Sequence, residues 1–196
     1  MKRLSSITAG LLVIAFTAFG CASGLYSQGW VTLFDGTSLD NWNRVGDANW
    51  RLVDGIVQAD KGGKTISYLV SKNSYTDFEI RVEFWVDADA NSGIYIRCSD
   101  PQNIGSATAY EAQIADKRSD GYGTGAIVNV AKVSPMLKAG GQWNVYEIRA
   151  KGPELTVVLN GNVTAHAQNS QFARGPIALQ YLAGTVKFRR VEIKPL

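Results

Sequence analysis

The sequence predicts an all-β domain made of two packed antiparallel sheets, and three observations lead to this fold class. Apolar and polar residues alternate in nine short windows, and a period of two is typical of strands that bury one face. Gly, Asn, Asp or Pro residues separate the windows, as short turns require. No window beyond the first twenty residues has the period of a long helix. Nine strands in one domain favour two sheets that pack face to face.

Each predicted strand follows from its alternation. The clearest is the window from Asp77 to Val86, in which every second residue from Phe78 is apolar and the residues between are mainly charged. Asp54-Gly55 and Asn160-Gly161 each lie between alternating runs and tolerate the positive φ of a two-residue hairpin turn. The predicted strands cover residues 50–59, 77–86, 92–98, 110–115, 126–130, 142–150, 154–159, 177–181 and 186–193.

The two longest predicted loops, residues 99–109 and 116–125, flank the strand at residues 110–115. Binding sites are commonly assembled from loops that a rigid sheet positions. The sequence therefore predicts a site near this strand.

The first twenty residues predict an export signal. Lys2 and Arg3 precede an uncharged apolar run and then small residues, which is the order of a secretory signal. Gly20-Cys21 ends the run as a lipoprotein cleavage site would, which predicts acylation of Cys21; ordinary cleavage nearby, for instance after Ala22, is the alternative. We expect a protein exported to the cell envelope and anchored to its membrane by lipid alone. The expected parts are a signal peptide at residues 1–20, a tether at residues 21–29 and one domain at residues 30–196.

The charge of the mature chain argues against nucleic acid as a partner. Removing Lys2 and Arg3 from the 20 basic residues leaves 18 against 17 acidic residues, a formal charge of +1 without a basic stripe. Cys98, the only cysteine besides Cys21, is expected to be a small buried apolar residue. His166 has no second ligand at metal-binding spacing and is expected on the surface, so we expect no zinc-type site.

Nine sequence fragments resemble the 3-keto-disaccharide hydrolase family, and they follow one another along the chain in the family's order. The most specific are NSGIYIR, which begins at Asn91, and YEAQIAD, which begins at Tyr110. The others are LFDGTSLDNW, TDFEIRVEFWV, TGAI, QWNVYEI, LNG, and GPIALQ with VKFRRVEI. The resemblance covers nearly all of the mature chain. It implies a concanavalin A-like jelly roll and an activity on glycosides whose sugar carries a ketone at carbon 3.

The chain departs from the family pattern near its C-terminus. The family often has Asp-His after a Leu-Gln pair, whereas Leu179-Gln180 is followed here by Tyr181. This difference favours a second hypothesis, a surface-tethered carbohydrate-binding module that keeps the cleft without catalysis. A purely structural envelope lipoprotein is a third hypothesis, and it leaves the clustered polar and aromatic strands unexplained.

Alternation places the candidate site residues on the polar faces of two strands. Glu111 and Gln113 share one face of their strand, and Tyr95 and Arg97 share one face of the preceding strand. If these strands are neighbours, Arg97 and Glu111 line one cleft on the concave face of the jelly roll. The alternative is a solvated face with exposed ion pairs that contribute little stability. Tyr95 or Trp85 is predicted to stack on a sugar ring whose hydroxyl groups the polar side chains bind. The other predicted contributors are Gln180, Asn91 at a turn and Asp116 at the strand end.

The resemblance implies a reaction that needs few groups. A ketone at carbon 3 acidifies the proton on carbon 2, so a base can remove it, and the enolate expels the group on carbon 1 before water adds back. We assign the base to Glu111 or Asp116, enolate stabilisation to Arg97, and orientation to Gln113 and Asn91. A carbohydrate is the expected partner. No cofactor is expected, although a metal site with oxygen ligands from Asp116 and a carbonyl stays open.

Overall fold

The structure, a computed structural model, describes residues 29–196. Within this range it has thirteen strands and no helix, and so nothing long and apolar enough to cross a membrane as a helix. The expected signal peptide, Cys21 and nearly all of the tether lie outside the described residues. The strands are β1 (Val31–Phe34), β2 (Trp42–Val45), β3 (Arg51–Val53), β4 (Ile56–Ala59), β5 (Ser67–Tyr75), β6 (Phe78–Val86), β7 (Ser92–Ile96), β8 (Tyr110–Ile114), β9 (Trp143–Lys151), β10 (Glu154–Leu159), β11 (Asn162–Gln168), β12 (Gly175–Tyr181) and β13 (Val186–Pro195).

The strands form two antiparallel sheets. The larger sheet has eight strands in the order β11-β10-β9-β6-β13-β4-β3, with β1 also paired to β13. The smaller sheet has five strands in the order β2-β5-β12-β7-β8. The predicted sandwich of two antiparallel sheets is confirmed.

The core lies between the sheets, and alternation decides which side chains enter it. In β6 every second residue from Phe78 to Val86 is 2% exposed or less. Ile94 and Ile96 of β7 and Leu179 of β12 belong to the same core from the smaller sheet. Because successive side chains point to opposite faces, the residues between these positions project from the outer face of the smaller sheet.

The strand prediction is incomplete in two respects. β1, β2, β5 and β11 were not predicted; in β5 the five residues from Ser67 to Ser71 are all buried, so burial on both faces removes the period of two. The predicted strand at residues 126–130 is wrong, because Ile127 forms only isolated bridges, to Ala112 and Ala131. The window at residues 50–59 is a hairpin of β3 and β4, whose turn residues Asp54-Gly55 have φ angles of 50° and 75°.

Two loops lie next to β8. The β7–β8 loop covers residues 97–109, and the β8–β9 loop covers residues 115–142, well beyond the predicted residues 116–125. The longer loop runs along the free edge of β8, where the N–H groups of Gly125 and Val128 donate to the carbonyl oxygens of Gln113 and Glu111, each at 3.0 Å. This contact protects an edge strand and holds the loop beside the outer face of the smaller sheet.

Candidate functional site

A row of side chains crosses four strands on the outer face of the smaller sheet. Glu111 of β8 is opposite Tyr95 of β7 in the strand register, and Tyr95 is opposite Ala178 of β12. Gln180 follows Ala178 by two residues and is opposite Tyr68 of β5. Directly opposed residues and residues two apart share a face. Tyr68, Gln180, Tyr95 and Glu111 therefore form one cluster, the polar row.

The polar row is covered by protein. Each of its four side chains is 5% exposed or less. The Tyr68 hydroxyl donates to the carbonyl oxygen of Ile104 in the β7–β8 loop at 3.0 Å, and the amide nitrogen of Gln180 donates to the Tyr95 hydroxyl at 3.3 Å. The rings of Tyr68 and Tyr95 pack edge to face, with their centroids 5.5 Å apart. The interpretation of this region as a solvated sheet face is therefore wrong.

Burial changes the acidity of Glu111. Desolvation raises the pKa of its carboxyl group to about 7, while the Tyr95 hydroxyl and the Arg118 guanidinium oppose the shift. Desolvation also raises the pKa of Tyr95, and the charge of Glu111 adds to this effect, so Tyr95 keeps its proton at neutral pH. A carboxyl group with a pKa near neutral pH is suited to take and return a proton.

A glycine on the neighbouring strand leaves room for the Glu111 side chain. A Cβ atom on Gly93 would lie 2.8 Å from Oε1 of Glu111 and 3.0 Å from its Cγ. Gly93 belongs to β7 and is opposite Gln113 in the register. The side chain of Glu111 thus leans over β7, and any larger residue at position 93 would displace it.

Gln180 offers a buried acceptor that lacks a donor. Its side chain is 3% exposed, and its Oε1 atom has no hydrogen-bond partner among residues 29–196. Leaving a buried polar atom without a partner costs about 1–3 kcal/mol. A ligand hydroxyl that donates to Oε1 would remove this cost, so Gln180 fits a role in binding a sugar.

Arg97 does not belong to the polar row. β7 ends at Ile96, and Arg97 has a φ of 52°, a left-handed conformation that ends the strand alternation. Its guanidinium group, 1% exposed, instead ties together the β5–β6 and β9–β10 turns. It donates to the carbonyl oxygens of Thr76 at 2.7 Å, Gly152 at 2.8 Å and Phe172 at 3.3 Å, and to Asp77 at 3.0 Å. The prediction that Arg97 and Glu111 line one cleft is wrong.

Trp85 is on the opposite side of the sandwich. It lies in β6 of the larger sheet and alternates with the core residues Phe84 and Val86, so it points to the outer face of that sheet. There the Lys187 ammonium group is 4.6 Å from its ring centroid. Because both sheets separate Trp85 from Glu111, the prediction that they contact the same sugar is wrong.

Asp116 anchors the long loop instead of joining the polar row. The Thr124 hydroxyl donates to its Oδ1 at 2.6 Å, and the backbone N–H groups of Ala139 and Gly140 donate to its Oδ2, each at 2.9 Å. The sequence left open a role for these carboxylate oxygens as metal ligands, whereas in the structure they accept hydrogen bonds from these three donors. Of the two carboxylates proposed as the base, the structure places Glu111 alone in the polar row.

Gln113 and Asn91 flank the polar row. Gln113 shares the face of Glu111, and its Oε1 atom accepts the N–H of Ile114 at 3.0 Å. Asn91, half-buried, lies just before β7 and forms a backbone bridge with Ala183. Both positions are compatible with the orienting role that the sequence suggested.

Two residues of the site were not predicted. Tyr68 lies in β5, where alternation is absent. Arg118 lies in the β8–β9 loop and forms an ion pair with Asp120 at 2.5 Å, with its side chain 33% exposed. The hydrogen bond to Asp120 raises the pKa of the Arg118 guanidinium, and the charge of Glu111 adds to this effect. One sequence feature could have identified Arg118: it stands two residues after Asp116, where the chain leaves the strand that carries Glu111.

Cys98 and His166 lie where the sequence predicted. Cys98 is free and buried, and desolvation raises the pKa of its thiol to about 12. His166 is exposed, and its Nδ1 lies 3.1 Å from the Thr156 hydroxyl. Within residues 29–196 no three His, Cys, Asp or Glu side chains stand close enough together to hold a metal ion.

Comparison with solved structures identifies the fold. One neighbour, described as a "putative glycosyl hydrolase" from Parabacteroides distasonis ATCC 8503, is 20% identical with a TM-score of 0.74 and covers 86% of this chain and 94% of its own. A second neighbour of the same description and source is 24% identical, with a TM-score of 0.65 and coverages of 85% and 99%. The carbohydrate-binding module CBM66 from Bacillus subtilis is 17% identical, with a TM-score of 0.60 and coverages of 85% and 95%. The expected concanavalin A-like jelly roll is confirmed.

Comparison with sequences identifies the family. No curated protein matches the chain. Residues 29–194 match the family described as the 3-keto-alpha-glucoside-1,2-lyase-like domain, which spans every described strand except the last residue of β13. The chain therefore belongs to the 3-keto-alpha-glucoside-1,2-lyase-like domain family, which confirms its resemblance to the 3-keto-disaccharide hydrolases.

Proposed function

We propose that this domain cleaves 3-keto-glycosides by elimination and hydration, with Glu111 as the base. The observation that carries the proposal is a buried carboxyl group with a pKa raised to about 7, in a domain whose family is named for a 3-keto-glucoside 1,2-lyase. Ordinary glycosidases need two carboxylates that flank the scissile bond. Elimination from a 3-keto sugar needs one base, and Glu111 is the carboxylate of the polar row.

The proposed reaction has two stages. Ionised Glu111 removes the proton from carbon 2, and the electron pair of that bond forms an enolate with its charge on the carbon-3 oxygen. The enolate re-forms the ketone as a carbon 1–carbon 2 double bond forms. The leaving group departs from carbon 1 with its bonding electrons and takes the proton that Glu111 removed, which leaves Glu111 ionised again. Water then adds across the double bond, with hydroxyl on carbon 1 and a proton on carbon 2. The net change is hydrolysis.

The neighbours of Glu111 supply the remaining roles. Arg118 is the cation whose charge reaches Glu111 and Tyr95, so we assign enolate stabilisation to Arg118 in place of Arg97. The free Oε1 atom of Gln180 accepts a sugar hydroxyl. Gln113 and Asn91 remain the proposed orienting residues at either side.

Release of a chromogenic leaving group from a 3-keto-glucoside tests the function. The purified domain should release 4-nitrophenol from 4-nitrophenyl 3-keto-glucoside, and Glu111→Gln should lower kcat/KM by at least about 100-fold, because general-base catalysis contributes about that much. Glu147→Gln is the control, since Glu147 is an exposed member of an ion pair on the larger sheet. A Glu111→Gln variant that keeps the wild-type rate would overturn the assignment of the base.

A carbohydrate-binding module without catalysis is the second candidate. The missing Asp-His after Gln180 and the likeness to CBM66 both favour it. The two candidates separate in one experiment: a 3-keto-glucoside that binds in calorimetry, with no release of its leaving group, indicates a binding module.

A further inference from the structure

A cavity of about 360 Å³ lies where β12 ends, and its lining residues Tyr181 and Leu182 follow Gln180 directly in the chain. Loop residues 61–66 line it together with Tyr181 and Leu182. We propose that this cavity binds the leaving group of the glycoside, and that it favours a flat apolar leaving group with an acidic substituent. The inference rests on the proposed function, and it adds the class of substrate.

The cavity lies just beyond the ends of two strands that carry the polar row, β5 and β12. Leu182 follows Gln180 by two residues, and Ile66 precedes Tyr68 by two residues. Two residues of a strand span about 7 Å, roughly the width of one pyranose ring. A sugar bound at Gln180 and Glu111 therefore has its carbon-1 substituent within reach of the cavity.

Two aliphatic side chains line the cavity beside its polar residues. Ile66 is 40% exposed and Leu182 is 42% exposed, although both are large aliphatic residues. The register that places Tyr181 opposite Ser67 brings Leu182 opposite Ile66. Single exposed aliphatic residues are ordinary, but two neighbours in one cavity beside a candidate site suit an apolar ligand.

The rim of the cavity is held in a defined shape. The backbone N–H groups of Gly63 and Lys64 donate to the Asp47 carboxylate at 3.0 Å and 3.3 Å. The N–H of Lys61 donates to the Asn49 side chain at 3.0 Å, and the carbonyl of Lys61 accepts the N–H of Asn49 at 2.9 Å. These hydrogen bonds hold the backbone of the loop that carries the two lysines.

The charge of the rim is positive. No carboxylate of residues 29–196 forms an ion pair with Lys61 or Lys64. Two acidic residues that adjoin the loop are already engaged: Asp47 accepts the N–H groups of Gly63 and Lys64, and Asp60 is paired with Arg51 at 2.7 Å. Two lysines and two aliphatic residues in one lining complement a ligand with an apolar body and a carboxylate.

The inference is tested by comparing kcat/KM for two aryl 3-keto-glucosides that differ in their leaving group. The substrates carry phenol or 4-hydroxybenzoate as the leaving group, and kcat/KM is measured for both. The kcat/KM for the 4-carboxyphenyl substrate, divided by that for the phenyl substrate, should fall about tenfold in the Lys61→Met/Lys64→Met double variant, because the variant removes the attraction for the carboxylate. Lys72→Met, an exposed lysine outside the cavity, should keep the wild-type ratio. An unchanged ratio in the double variant would overturn the inference.

A binding measurement separates this inference from the proposed function. Free 4-hydroxybenzoate is titrated into the whole domain while the amide signals of Lys64 and Leu182 are followed by NMR. Shifts that disappear in the double variant support the cavity even when neither glycoside is cleaved, an outcome that would refute the proposed function alone. Cleavage of both glycosides without any shift of these signals would refute the cavity and leave the function standing.

Discussion

At the scale of the residue, Glu111 combines two opposing requirements. A base must be ionised to accept a proton, yet burial at 5% exposure disfavours the ionised form. Tyr95 and Arg118 offset part of that penalty. The result is a pKa near neutral pH, and this has a consequence for stability that can be measured.

Glu111→Gln should change how stability depends on pH. The carboxyl group titrates near 4.5 in the unfolded chain and at about 7 in the folded protein, so the folded state binds the proton more tightly. The stability of the wild type therefore falls as pH rises between these values, by up to about 3 kcal/mol. The variant cannot titrate, so its free energy of unfolding relative to wild type should rise through the same window.

Urea unfolding at several pH values between about 4 and 8 measures this difference. Glu147→Gln, at an exposed ion pair, should show no comparable trend. A difference between Glu111→Gln and wild type that stays flat across the window would contradict the burial of an ionisable Glu111.

Arg97→Ala should lower the stability of the fold without a direct effect on catalysis. The substitution leaves three carbonyl oxygens and Asp77 without their buried donor, and breaking a buried ion pair costs about 3–5 kcal/mol. Arg190→Ala, in an exposed pair with Glu192, should cost about 1 kcal/mol or less. Thermal unfolding measures both. Loss of turnover at an unchanged unfolding midpoint would instead return Arg97 to the site.

At the scale of the element, the β7–β8 pair determines where Glu111 points. The two strands place Tyr95 opposite Glu111 and leave the space above Gly93 for the carboxyl group. The β8–β9 loop then follows the free edge of β8, and the charge of its Arg118 lowers the pKa of the same carboxyl group. One strand pair and one loop thus carry the side chains to which we assign the acid–base catalysis.

Gly93→Ala should therefore reduce activity more than stability. Its Cβ would approach Oε1 of Glu111 to 2.8 Å, so the carboxyl group must move, and overpacking of this kind costs about 1–3 kcal/mol. We expect kcat/KM for a 3-keto-glucoside to fall at least about tenfold, since small displacements of a base slow proton transfer strongly. Gly105→Ala is the matched control, because a Cβ atom on Gly105 would meet no atom within 4 Å and its φ is not positive. Equal rates for the two variants would contradict the role of Gly93.

At the scale of the whole molecule, the two sheets have different outer faces. On the larger sheet, exposed ion pairs join Arg81 to Glu147 at 2.8 Å and Arg189 to Glu83 at 2.5 Å. Such exposed pairs add little stability. On the smaller sheet, loops cover the polar row. The fold is thus functionally asymmetric, with the proposed chemistry on one side.

We propose that the protein is exported and held at a membrane through an acyl chain on Cys21. Replacing Cys21 with Ser should move the full-length protein from the membrane fraction to the soluble fraction after cell fractionation, because the variant has no thiol to acylate. The protein is detected by immunoblot in both fractions. A wild type already in the soluble fraction, or a variant retained with membranes, would refute the proposal.

The sequence by itself determined the fold class and the face on which Glu111, Gln113 and Tyr95 lie, because the period of two is a local property of each strand. The sequence did not predict the features of the site that arise where distant segments of the chain meet. The left-handed backbone of Arg97, the approach of Arg118 and the loops that bury Glu111 all depend on contacts between separate parts of the chain. Only the tertiary structure shows these contacts, and they decide which charges lie near the base and how strongly it holds its proton.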